Sequence, residues 1–203
     1  MQITHGCLRE ALSSQLGSVL TPELAATIEF LAFDRTDHAI DPARFVPRAY
    51  RGILFAVESF RAVLPELEPL HAAHYAETEK HLPADAMAPD YAYMAERERI
   101  GSLLQFTARD ADGALVGNLR MYLGFSLHTG RRFAEEDTFY LAPAARRGWV
   151  ANAFLAYAED ALAELGITEA RADTKLVNTA SKLLRRRGYA PIAIKFIKQL
   201  REA

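Results

Sequence analysis

The sequence predicts an α+β domain built on a mixed central β-sheet flanked by helices, with a helical extension at its N-terminus. Three observations carry this. From about residue 50, short strand-like runs alternate with helical ones in the order β-α-α-β-β-β-α-β-α-β. Residues 103–125 hold two alternating apolar runs joined through Asp112-Gly113, a strong hairpin signal. Residues 148–165 place Val150, Phe154, Tyr157, Ala161 and Leu165 on one stripe, with Glu159, Asp160 and Glu164 off it and Gly166 as the stop.

The other elements follow in order. Residues 7–16 and 22–33 carry helical spacing, the second with Thr21 as N-cap and Pro22 at the first helical position. These lie in the extension, 1–48, and the main domain is expected over 49–203. "ILFAVESFRAVL" (53–64) reads as strand-rich, and residues 65–81 and 89–103 read as helices. "EEDTFYLAP" is a strand stopped by Pro143. A short strand at 169–175, a helix at 178–187 ending on Gly188 and a final strand at 189–200 complete the pattern.

Composition narrows the function. With 203 residues, half of them apolar, the chain can bury a sizeable core. A net charge of −2 supplies no global field for nucleic acid or an anionic membrane. The lone Cys7 excludes an intramolecular disulfide and a cysteine-based zinc cluster. No apolar run approaches the ~18 residues that span a bilayer, and "MQITHGCLRE" has no signal-peptide core, so a cytoplasmic location is expected.

The stretch "RRGWVAN" (146–152) enters the best helix directly after a strand. A helix start leaves about four amide N–H groups unpaired and carries a partial positive charge, which suits a pyrophosphate. The donors are the amides of Arg147, Gly148, Trp149, Val150, Ala151 and Asn152, with the Arg147 guanidinium adding charge.

Together with "FYLAP", "DTKLVNTASKLLRRRGY" and the element order, this stretch resembles the GNAT N-acetyltransferases over roughly residues 55–200, closest to a divergent branch often carried by bacteriophages. The resemblance implies a GNAT-like fold, acetyl-CoA as co-substrate in an opening between the fourth and fifth strands, and acetyl transfer to an amine on a small molecule or a protein. It also implies that Tyr140, Leu141 and Ala142 offer main-chain groups to the pantetheine arm, and that Asn178 contacts that arm. The sequence departs from the family's Arg-x-x-Gly-x-Gly/Ala pattern at Val150 and Asn152. Asn152 is tolerable at a left-handed backbone position and Val150 is not. The family's usual tyrosine acid is also absent, because Leu184 follows Leu183 there. Tyr189 is expected to pack in the final strand.

Carboxylates on the strand 135–141 often serve as base in similar enzymes. Period-two geometry puts Glu136, Thr138 and Tyr140 on one face and Asp137, Phe139 and Leu141 on the other, so Glu136 and Asp137 cannot both face one site. Asp137 is preferred, since its face is otherwise apolar; solvated strand-end charges are the alternative. His71, His74 and Glu77 share helical spacing that suggests a metal triad, but the ligand set is incomplete and no metal is expected. A polar acceptor-side cluster of His74, Tyr75 and Glu77 fits better, with His128 in a loop that could reach it. Lys175 ends a strand where it could touch phosphate or substrate; an ordinary surface lysine is the alternative. The basic turn of "KLLRRRGY" either meets the adenosine 3′-phosphate or is simply solvated.

Two other readings stay open. Val150, Asn152 and Leu184 favour a non-catalytic binding or scaffold protein that keeps the fold, with or without binding CoA. The extension could cap the acceptor opening or dock a partner subunit, as in a homodimer, and in the weakest reading it mediates oligomerisation while the domain merely supports it.

Overall fold

The computed structural model describes residues 12–13, 15–19, 21–25, 39–78, 87–175, 178–194, 196 and 198. Most of the two expected N-terminal helices therefore lies outside the described residues. Within them, residues 22–25 are helical and the Thr21 hydroxyl accepts from the Leu24 amide at 3.2 Å, the cap that Thr21-Pro22 predicts. The chain divides into two compact units, 1–173 and 174–203.

The first unit is a six-stranded sheet in the order β1-β2-β3-β4-β5-β6. Its strands are β1 (Arg48–Tyr50), β2 (Ile53–Val57), β3 (Leu103–Arg109), β4 (Leu115–Phe125), β5 (Arg132–Leu141) and β6 (Glu169–Arg171). The first five form an antiparallel meander, and β6 runs parallel to β5. Between β2 and β3 stand α1 (Phe60–Thr78) and α2 (Tyr91–Arg99); α3 (Val150–Glu164) is the crossover from β5 to β6.

The β3–β4 hairpin turns where Asp112-Gly113 predicts. The Asp110 carboxylate accepts from the Asp112 and Ala114 amides at 3.0 Å each, and Gly113 takes φ +83°. The strand-rich reading of 53–64 is corrected: β2 ends at Val57 and α1 begins at Phe60, five residues before Pro65. Ser59 caps the new start from its own hydroxyl, and the Glu98 carboxylate on α2 accepts from the Phe60 amide, the Arg61 amide at 3.2 Å and the Ser59 hydroxyl at 3.2 Å. Pro65 and Pro69 sit inside the helix and each removes one ladder donor.

The two faces of the sheet are covered separately. Phe60, Val63 and Leu67 of α1 pack with Leu103 on one face. On the other, all five residues of the predicted α3 stripe are buried, and Phe154 stacks on Phe55 at 5.0 Å and meets Phe139 at 6.0 Å. Phe154 is fully buried, so Phe154→Ala is expected to cost about 3–5 kcal/mol in urea unfolding.

In the second unit, α4 (Ala180–Arg186) matches the predicted helix, with the Asn178 side chain accepting from the Ala180 amide at 3.0 Å. The expected final strand is not formed among its described residues, where Ile192, Ile194 and Phe196 are exposed. Alternation supplies an apolar face, but a strand also needs a partner for its backbone groups.

Candidate active site

The site is organised by an extra residue in β5. Arg120 of β4 stands opposite Thr138, whereas the next residue, Met121, stands opposite Glu136. Asp137 is therefore the unpaired residue of a β-bulge, and the alternation reverses across it. Directly opposed residues share a face, so Glu136 lies with Met121 and Thr138 lies with Arg120. The period-two assignment is thereby revised: Asp137 turns to the α1 face with Thr138 and Tyr140, and Glu136 does not. One carboxylate per face still holds, with the partners exchanged.

Arg120 is buried and fixes Asp137. Its Nε and Nη2 donate to Asp137 Oδ2 at 2.8 and 2.6 Å, and the Thr138 hydroxyl donates to the same oxygen at 3.2 Å. Among the described residues the hydrogen bonds to Asp137 all enter at Oδ2, and its side chain is 33% exposed. The spare Nη1 of Arg120 reaches His71 Nε2 at 3.3 Å, and His71 Nδ1 lies 3.2 Å from the Tyr91 hydroxyl. Burial first, and then the Arg120 charge, push His71 down to about 4. Burial raises Tyr91, with the nearby Glu68 adding to the effect. His71 thus belongs to an arginine and a tyrosine, and among the described residues no three His, Cys, Asp or Glu side chains gather as metal ligands.

The other predicted acceptor-side residues lie on the same helix. The His74 ring lies 5.4 Å from that of Tyr140, and Tyr75 is half-buried. Glu77 accepts a two-pronged hydrogen bond from Arg146 at 2.8 and 2.6 Å. Arg146 also stacks over Tyr140 at 5.1 Å and donates from Nε to the Leu141 carbonyl at 2.6 Å. The Glu77 hydrogen bond is the chief reason its guanidinium is held above the usual arginine range. Arg146 therefore ties α1 to the end of β5, while the exposed Arg147 stands at the loop. His128 is exposed in the β4–β5 turn.

The β5 edge opens beyond the bulge. The pairing of β6 covers only Phe133, Ala134 and Glu135, so residues 136–141 have no strand on that side among the described residues. An extended ligand can meet such an edge through its main chain. Ala142 is less available, since its amide donates to the Val116 carbonyl at 2.7 Å and its carbonyl accepts from Ala145 at 2.8 Å.

The helix start resolves the worry about the missing glycines. Val150 and Asn152 are ordinary helical residues of α3, and the left-handed position is Gly148 itself, at φ +59°. Val150 is fully buried, so its side chain points into the core, away from the helix mouth. Trp149 is the N-cap without a side-chain cap bond, which leaves the first-turn amides of Ala151 and Asn152 without an intrahelical partner. A Cβ on Gly148 would meet only the far end of the flexible Arg51 side chain, which can move aside, so it is the left-handed backbone that asks for a glycine here. These donors fit a pyrophosphate. Lys175, exposed, and Asn178 belong to the second unit.

Sequence reasoning missed Arg120, Tyr91, Arg146 and Arg51. Arg120 carried a signal, a lone charge inside the apolar run "NLRMYL". The other three are set by tertiary contact alone.

A sheet of this order, open between two parallel strands beside an anion-ready helix start, defines an acetyltransferase-type architecture. The chain belongs to the Acetyltransferase (GNAT) family, whose model matches residues 64–190. Its fold is similar to that of a ribosomal-protein-alanine N-acetyltransferase from Brucella melitensis, with 21% identity, a TM-score of 0.56, and 72% of this chain and 99% of that one covered. It is also similar to an aminoglycoside acetyltransferase from an uncultured soil metagenomic sample, solved with sisomicin, at 13% identity and a TM-score of 0.59, covering 74% and 97%. A Trypanosoma brucei acetyltransferase matches at 13% identity and a TM-score of 0.55, covering 73% and 99%. No curated protein matches the chain. Among the described residues no helix is long and apolar enough to cross a membrane.

Proposed function

We propose that this chain is an N-acetyltransferase that moves an acetyl group from acetyl-CoA to an amine on a small molecule or a protein, in the cytoplasm. The observation that carries this reading is Asp137, turned by the bulge to the α1 face with Oδ2 held by two donors from Arg120 and one from Thr138. Oδ1 keeps its lone pairs for the acceptor ammonium, orients it and takes its proton, directly or through a water. The free amine then forms the new N–C bond as the C–S bond breaks; the nitrogen sheds its surplus proton to water, and the sulfur, which leaves with the electron pair, takes up a proton from water in turn. Acetyl-CoA supplies the activated acyl group. Arg147 and the amides of Gly148, Trp149, Val150, Ala151 and Asn152 would hold its pyrophosphate. The edge at Tyr140 and Leu141 would meet its pantetheine arm; for Asn178, in the second unit, the family resemblance alone implies a contact with the cofactor's arm. Ala142 is left a smaller part, since both its main-chain groups are already bonded. His74, Tyr75 and Glu77 would border the acceptor, and Lys175 would serve phosphate or substrate. Glu136, on the opposite face, is left a supporting part at most.

The N-terminal segment 1–48 is proposed to cap the acceptor opening or to seat a second subunit. A non-catalytic member of the family is the second reading, favoured by Leu184 where the resemblance places a tyrosine; the divergent, phage-like branch fits the same departure. Isothermal titration with acetyl-CoA tests the binding step. Micromolar affinity that Arg147→Glu weakens at least about tenfold supports the cradle. Absence of heat at high micromolar acetyl-CoA overturns the transferase reading.

A further inference from the structure

The network behind Asp137 has a buried middle and two ends that reach solvent. Arg120 and His71 are 4% and 7% exposed, whereas Asp137 and Tyr91 are partly open. Its hydrogen directions follow from chemistry. A guanidinium has donors only, so His71 Nε2, 3.3 Å from Arg120 Nη1, must accept. The imidazole proton therefore sits on Nδ1 and is donated to the Tyr91 oxygen at 3.2 Å. With that lone pair taken, the Tyr91 O–H must turn away from the histidine. The groups facing His71 are Arg120 from β4, Asp137 from β5, Tyr91 from α2 and His74 from its own helix; Glu68 acts on Tyr91, and Tyr122 lies beside Asp137 and Arg120. Arg120 also lies over the Phe60 ring at 5.7 Å, which leaves the guanidinium little room to swing.

We propose that His71 is a positioning residue of the acceptor site: as a neutral Nδ1–H imidazole it accepts from Arg120 and so steadies the guanidinium that holds Asp137 Oδ2, while the Tyr91 oxygen fixes its tautomer. This deepens the acetyltransferase reading and rests on it.

The test has one arm that needs no turnover. In protein with ¹⁵N-labelled histidine, imidazole NMR is expected to show His71 as the neutral Nδ1–H tautomer from pH 8 down to pH 5 or so. A Nε2–H tautomer, or a protonated ring at pH 6, overturns the relay. The second arm is kinetic, with a panel of primary amines at saturating acetyl-CoA. For an amine that wild type acetylates, His71→Phe is expected to raise the amine KM about tenfold and to leave the KM for acetyl-CoA unchanged, because Asp137 loses its steadied partner while the helix start is untouched. His71→Gln should restore the amine KM, because its carbonyl can accept from Arg120 and its amide can donate to Tyr91. Equal losses in His71→Phe and His71→Gln would mean packing alone and would overturn the proposal. Turnover of no amine by wild type overturns the acetyltransferase reading instead, and the tautomer read by NMR then stands or falls by itself.

Discussion

Asp137→Asn is expected to slow acetyl transfer by about 10²–10⁴-fold, the range for removing a general base. The KM for acetyl-CoA should stay within about twofold, because nothing in the Arg147–Asn152 segment changes. Glu136→Gln is the matched control: it lies opposite Met121, across the sheet from Arg120, and should leave turnover nearly intact. The two assays together decide between adjacent carboxylates. A large loss in Glu136→Gln with none in Asp137→Asn would reverse the assignment. Asparagine also removes the ion pair that Arg120 needs, so the folded fraction of each variant has to be measured alongside its rate.

Acid should cost this protein stability through His71. Its folded value is depressed to about 4 from an ordinary 6.5, so between those limits the unfolded chain binds the extra proton. The sign follows directly: stability is fully present above pH 6.5, is lost as pH falls toward 4 and is flat below. Two and a half units correspond to about 3 kcal/mol. Urea unfolding at pH 7, 5.5 and 4.5 checks it against His71→Gln, which lacks a titrating group at this position. Between pH 7 and 4.5, which spans most of that window, the variant should lose about 2 kcal/mol less than wild type. Parallel curves for the two proteins would mean that His71 charges in place.

What the sequence disclosed, and what it hid, divides by range of interaction. The α3 stripe and the Asp112-Gly113 turn were legible because periodicity and turn chemistry are local. The start of α3 was legible for the same reason. The bulge was not: an inserted residue has no composition of its own, and it inverted the faces of Glu136 and Asp137. Asp137 was preferred because a charge on an apolar face wants a reason; the bulge removes that premise, since Asp137 turns to the α1 face and pairs there with Arg120. Pro65 looked like a helix start because proline often is one, whereas the true start takes its cap from another helix. The left-handed penalty feared for Val150 vanished once α3 began at that residue.

The Glu98 carboxylate that closes the first turn of α1 comes from 38 residues further along the chain. No local signal can therefore complete that turn; it waits for α2 to arrive. Until then the amides of Phe60 and Arg61 must be met by water, and two internal prolines weaken the helix further. Both helices thus gain or lose order together, as one cooperative unit. His71 and Tyr91 stand on the two halves of that unit, so their hydrogen bond exists only when both halves have assembled. On this side of the sheet, folding and the joining of those two side chains become the same event.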